Sequence, residues 1–346
     1  MEKLGQNSLF VKSLNGEQCK RAPFWFMRQA GRYLPEYRQV RNQSGGFLDL
    51  CFHKQNAVDV TMQPIARYGM DAAILFSDIL VIPLALGQNL WFEEGEGPKL
   101  EALKDKKDLE ALSCDYVLER LGTVIEITAA IRKELDPSKA LIGFAGAPWT
   151  VATYMLEGGS SKNYLNAKAW RYQKTALFDH LMDVLIESTA RYLIAQIKAG
   201  ANVVQLFDSW AGALDETSQR LYSLAPLRAI AARIKAVEPQ AKVIVFAKGV
   251  GSNLEAYAKE PLFDGLSLDH TVSLDWAKNE LQDKKVLQGN MDPILLVSGG
   301  DMMLKEAQRI CETLGPSRHI FNLSHGIVPQ TSPEHVALLS EFLRSR

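Results

Sequence analysis

The sequence predicts an α/β fold, a (β/α)8 barrel, and three observations point to it. Eight short, nearly uninterrupted apolar runs recur along the 346 residues. Segments of helical spacing follow most of them. No linker, repeat or compositional break divides the chain, so one domain over residues 1–346 is expected. Strands buried on both faces read as continuous apolar runs, the pattern of a parallel sheet covered by helices. Eight such units suggest a single (β/α)8 TIM barrel, with a doubly wound sheet as the alternative.

In chain order, residues 1–22 form an N-terminal segment. The runs are then PFWFM before Arg28, DAAILF before Asp78, ALIGFAGA before Pro148 and NVVQLF before Asp208. KVIVFA before Lys248, DGLSL before Asp269, KVLQGN before Asp292 and HIFNLS before His325 complete them. After the second run, residues 83–100 carry Gly87, Gly95 and Gly97 and read as a hairpin excursion. Leu181, Leu185, Ile186, Tyr192, Leu193 and Ile197 trace one helical stripe that Gly200 stops. Asp215 can cap the next helix, which Pro226 divides, and residues 334–343 supply a closing helix.

Composition narrows the function. The hydrophobic share is 47%, enough for a large core. Length alone suggests about two domains, but α/β barrels often reach this size as one unit. A formal net charge of −1 argues against a nucleic-acid partner. Positive charge for an anionic ligand would have to be concentrated locally. No run approaches the roughly 18 apolar residues of a membrane span. The first residues are too polar for a signal peptide and lack transit-peptide bias. Cys19, Cys51, Cys114 and Cys311 lie far apart without a CxxC pair, which favours reduced thiols in the cytoplasm over disulfides or structural zinc.

If the barrel reading holds, residues following the runs converge at the C-terminal ends of the strands, where such barrels keep their chemistry. MRQAGRYLPEYRQVR, residues 27–41, holds Arg28, Arg32, Arg38 and Arg41. An arginine cluster is commonly a solvated face. Here Arg28 follows a strand run and Gly31 permits close backbone approach, so the segment also reads as a carboxylate clamp, since guanidinium forks match carboxylates bidentately. Asp78 lies among apolar neighbours, an expensive setting for an unpaired carboxylate. Tyr154 reads as a core aromatic or as a hydroxyl presented at the mouth. Asp208 and Ser209 read as caps or ligands, and His325 as structural or functional. The glycines of residues 146–159 lack the Lys-Ser/Thr of a P-loop.

FWFMRQAGRYLPEYR, ILFSDIL, GFAGAPWT with TYM and EGG, QLFDSWAG, QGNMDP and NLSHG occur in one order over nearly the whole chain. Together they resemble the signature blocks of the uroporphyrinogen decarboxylase family. Two departures stand out: Ser324 where the family usually has Gly, and Met291 where it usually has Leu.

The resemblance implies a single (β/α)8 barrel, a homodimer with facing clefts, and no metal or organic cofactor. It implies loss of the four acetate carboxyl groups of uroporphyrinogen III as CO2, giving coproporphyrinogen III for haem synthesis. Carried over by position, Asp78 and Arg28 are catalytic. Arg28 and Arg32 hold substrate carboxylates, and the backbone of Gln29, Ala30 and Gly31 belongs to the same loop. Asp78 accepts hydrogen bonds from the pyrrole N–H groups, and Tyr154, Ser209 and His325 add polar contacts. Two rival readings remain. A zinc- or corrinoid-linked methyltransferase of the same superfamily would need His and Cys ligands at strand ends, where His325 lies but no cysteine does. A tetrapyrrole carrier would not need a buried acid.

Overall fold

A computed structural model of the protein describes residues 4–93 and 97–346. Its strands, in chain order, begin with β1 (Ala72–Ile74) and an antiparallel hairpin of β2 (Leu90–Glu93) and β3 (Gly97–Leu100). Then follow β4 (Ala140–Gly146), β5 (Val203–Asp208), β6 (Lys242–Ala247), β7 (Gly265–Ser267), β8 (Val286–Gln288) and β9 (His319–Ile320). Among the described residues, seven of these form one parallel sheet in the order β1-β4-β5-β6-β7-β8-β9. The spatial order never reverses, whereas a doubly wound sheet reverses at its switch point. The alternative topology is thereby excluded. Gly95, expected in the excursion, lies outside the described residues, and the hairpin flanks it.

The helices form where the spacing placed them. Thr175–Lys198 buries Leu181, Leu185, Ile186, Tyr192, Leu193 and Ile197 along one stripe. Asp215 caps Glu216–Gln219 by accepting from Ser218 N at 3.0 Å. Pro226 does not break the helical backbone, which runs from Glu216 to Val237, but changes its hydrogen bonding: Arg220–Leu224 just before it is π-helical, with Ala225 N donating to Arg220 O, and Ala225–Val237 is α-helical. Pro333–Arg344 ends the chain.

One expectation needs correction. The first apolar run, residues 23–27, builds no strand ladder; Phe24 makes a single parallel bridge to Phe321. Side chains take amides that a ladder would use: Asp71 Oδ2 accepts from Phe24 N at 2.9 Å and Asn322 Oδ1 from Met27 N at 3.1 Å. The segment nonetheless joins the two edges of the sheet. Trp25 N donates to Phe321 O (3.3 Å), Phe321 N to Pro23 O (2.8 Å) and Asp71 N to Phe24 O (3.0 Å).

Inside the curl, Met27, Ala72, Ile142, Val203, Ile244, Val286 and Ile320 pack as one apolar cluster. The helix Leu9–Leu14 adds Phe10, Val11 and Leu14 to it. Ser13 Oγ donates to His319 O at 3.1 Å, and a Cβ built on Gly265 would lie 3.2 Å from Leu14 Cδ2. Both partners open their strands, so the N-terminal segment stops the end opposite the strand C-termini. Above it lies a polar layer. Trp25 Nε1 donates to Gln288 Oε1 (2.9 Å), and Gln288 Nε2 donates to Gln205 Oε1 and Ser267 Oγ (both 3.1 Å).

Candidate active site

All the sheet strands run the same way, so residues just beyond their ends share one face. Asp78 follows β1, Ser209 follows β5, Lys248 follows β6, His270 follows β7, and His325 follows β9. Tyr154 reaches this face differently, from the helix Pro148–Glu157 that leaves β4.

Arg28 links the group. It is exposed, and its backbone holds φ = 58°, a left-handed conformation that strains a residue with a side chain and that clusters at functional sites. Its positive charge opposes protonation of Asp78 and of His325, so all three lie within electrostatic reach. Arg28 and Asp78 both act on Tyr154 as well.

Asp78 is half-buried and accepts from Leu80 N at 2.8 Å through Oδ1. Burial raises its pKa, while the Leu80 amide and the Arg28 charge pull it back. The carboxylate thus has one backbone donor and one nearby cation, with acceptor capacity to spare. Burial, helped by the Arg28 and Lys248 charges, pushes His325 down to about 3. Its ring lies 6.2 Å from Phe246, which is 6.3 Å from Phe207, itself 5.7 Å from Phe144. Burial is also the largest influence on Tyr154, raising its pKa, and its ring packs 6.3 Å from Trp210. The face therefore has an aromatic floor beneath a carboxylate, a guanidinium and a neutral imidazole.

The four arginines of residues 27–41 divide into two pairs. Arg38 Nη1 donates to the carbonyls of Arg32 and Tyr33 (2.7 and 3.2 Å), and Arg41 Nη1 to Gly45 O (2.7 Å). Both fasten the loop. Arg28 and Arg32 are exposed. No contact brings Arg32 to Asp78 or His325. Gln29 N donates to Phe26 O at 3.0 Å and its carbonyl accepts from Tyr33 Oη at 2.9 Å, so its backbone is already engaged. Its side-chain amide is fully buried without a partner among the described residues. The N–H groups of Ala30 and Gly31 have no protein acceptor among those residues. Ser209 is partly exposed just past the end of β5, and its hydroxyl makes no hydrogen bond among the described residues.

Asp208 is neither helix cap nor rim ligand. Its buried carboxylate accepts from Thr150 Oγ1 (2.6 Å) and Ser223 Oγ (2.5 Å), and burial raises its pKa to about 6. Lys248 and Trp210 join the site although the sequence reading did not select them. Lys248 directly follows an apolar run, the same signal that singled out Asp78. Among the described residues, no three His, Cys, Asp or Glu side chains gather as a metal site would require, and the four cysteines are free.

Comparison with known proteins adds a family. A sequence model described as "Uroporphyrinogen decarboxylase (URO-D)" matches residues 5–346. The chain is 51% identical over 336 residues to the uroporphyrinogen decarboxylase of Rhodospirillum rubrum, covering 97% of each. It is 46% identical over 335 residues to that of Paracoccus denitrificans, covering 96% of this chain and 98% of the relative. In fold it is similar to a methyltransferase from Methanosarcina mazei (TM-score 0.81, 20% identity, 100% and 99% coverage). It also resembles a B12-independent methionine synthase from Shewanella sp. W3-18-1 (TM-score 0.54, 11% identity, 86% and 89% coverage). At those identities the structural likeness speaks to fold alone.

Proposed function

Since the chain belongs to the uroporphyrinogen decarboxylase family, we propose that Asp78 and Arg28 are its catalytic pair and that the strand-end face holds the macrocycle. Decarboxylation of uroporphyrinogen in porphyrin biosynthesis is the activity of this chain. The finer reading has four acetates of uroporphyrinogen III lost as CO2, leaving methyl groups and giving coproporphyrinogen III.

Breaking the bond from an acetate methylene to its carboxylate leaves an electron pair that needs a destination. Protonating the adjacent pyrrole carbon makes the ring a cationic acceptor for that pair. CO2 departs, the ring regains its electrons as an exocyclic methylene forms, and a second proton on that methylene gives the methyl. The ring proton is then lost, so each cycle consumes one proton net. The substrate supplies the electron sink otherwise assigned to a cofactor, and on this reading no metal or organic cofactor takes part.

The single observation carrying this assignment is the Asp78 carboxylate, half-buried, close to Arg28, and held by one backbone donor. Its spare acceptor capacity suits the inward-facing N–H groups of a tetrapyrrole, and its charge complements the protonated ring. Opposite unit charges about 4 Å apart at an effective dielectric near 20 interact by roughly 4 kcal/mol. If about half of that appears only in the transition state, the rate rises more than tenfold. Arg28 and Arg32, with the Ala30 and Gly31 amides, receive substrate carboxylates. Tyr154, Ser209 and His325 orient the remainder.

The edge-joining hydrogen bonds of residues 23–27 support a closed barrel in which that segment is the eighth stave, within a single domain. The family resemblance supports a homodimer, and the free cysteines support a cytoplasmic enzyme.

The test is incubation with uroporphyrinogen under anaerobic, reducing conditions, with products separated by carboxyl count. Stepwise loss down to a four-carboxyl product is expected. Unchanged uroporphyrinogen would overturn the reading.

A further inference from the structure

We infer that His270 is an additional substrate-carboxylate-binding residue, held in place by Ser324. This rests on the decarboxylase reading and extends it to His270, which lies outside the signature blocks. Ser324 Oγ and His270 Nδ1 lie 3.1 Å apart, joining the loop after β7 to the residue before His325. Ser324 is 1% exposed, and its amide donates to Met291 O at 2.8 Å. Its hydroxyl is thus fixed by a buried backbone, while the imidazole it holds is exposed.

The loop carrying His270 is itself pinned. Asp269 Oδ2 accepts from Gly249 N at 2.7 Å and Oδ1 from Thr271 N at 2.9 Å. Asn290 Nδ2 donates to Asp269 O (3.0 Å) and Val272 O (3.2 Å). Backbone on either side of His270 is therefore anchored to the loops after β6 and β8. When Ser324 donates to Nδ1, the ring's proton resides on Nε2, presenting a donor on the solvent side of the strand-end face. A donor fixed before binding gives up little freedom when an anion arrives.

The substrate chemistry calls for such a donor. Uroporphyrinogen carries four acetates and four propionates, while Arg28, Arg32 and Lys248 are the cations noted above at or beside the strand ends. An imidazole N–H held in place beside His325 serves one of those carboxylates. His270 touches substrate in this proposal; Ser324 acts through His270 and is a positioning residue.

Steady-state turnover of uroporphyrinogen by the full-length enzyme tests it, comparing wild type, His270→Ala, His270→Gln, Ser324→Gly and the His270→Ala/Ser324→Gly double variant. Loss of one hydrogen bond to a charged group should raise KM about tenfold in His270→Ala, with kcat within about twofold. His270→Gln, which keeps an N–H donor, should recover part of that loss. Ser324→Gly should raise KM less, and the double variant should match His270→Ala alone, since the serine has no role without the imidazole. Wild-type KM in His270→Ala, or multiplicative effects in the double variant, overturns the proposal. If Ser324→Gly fails to fold, the two His270 variants decide alone. Failure of the wild type to decarboxylate would instead overturn the family reading, so the two failures are distinguishable.

Discussion

Gly326 lies flat against the aliphatic stem of Arg28: a Cβ built on Gly326 would stand 2.3 Å from Arg28 Cδ and 2.4 Å from Cγ. The stem therefore packs on bare backbone next to His325. Gly326→Ala should fold, yet it must push Arg28 aside, and kcat/KM should fall at least about tenfold, approaching Arg28→Ala. Thermal unfolding alongside kinetics checks this. Unaltered kinetics in a folded variant would show that the position of Arg28 is unimportant.

Arg28→Ala and Arg32→Ala should each leave a substrate carboxylate unpaired, at about 1–3 kcal/mol of transition-state binding. Arg28→Lys should rescue only in part, because an ammonium cannot form the bidentate fork. Kinetics matching wild type in both alanine variants would reduce the arginines to a solvated face.

The pH behaviour of His325 has a definite sign. Its folded pKa near 3 lies below the ordinary value of 6.5, so the unfolded chain binds the extra proton first. Its contribution to stability is complete above about pH 6.5 and is lost as pH falls toward 3. In the substrate-free enzyme, NMR of the ring should show no titration between about pH 5 and 8. A midpoint near 6.5 would contradict burial beside Arg28 and Lys248.

Tyr154→Phe and His325→Asn should lower activity without abolishing it, because both groups orient the substrate. Near-complete loss of kcat at unchanged KM in either would make that residue a proton donor in the reaction.

Much of this was readable in the sequence because the informative residues follow apolar runs. Asp78, Ser209 and His325 were placed on one face by that rule, and the continuous runs revealed a parallel sheet. The helix stripe from Leu181 to Ile197 was equally plain. What stayed hidden depends on long-range contacts. Nothing local distinguishes residues 23–27 from a laddered strand, since the carboxylate and amide that replace its ladder come from Asp71 and Asn322. Arg38 and Arg41 read like Arg28 until their carbonyl partners are seen. Lys248 obeyed the strand-end rule but went unselected, because a lone lysine after a run lacks the emphasis of an arginine cluster. The Ser324–His270 contact joins residues 54 positions apart and has no sequence signature.

Asp78 gives the most direct measurement of the central claim. Asp78→Asn keeps the shape and some hydrogen-bonding capacity but removes the negative charge, whereas Asp78→Glu keeps the charge and shifts it by about one methylene. Single-turnover decarboxylation rates of both folded variants separate charge from contact. Charge stabilisation of a protonated pyrrole predicts loss of most activity in Asp78→Asn and a measurable remainder in Asp78→Glu. Turnover by Asp78→Asn as fast as by Asp78→Glu would contradict it and leave Asp78 a binding residue.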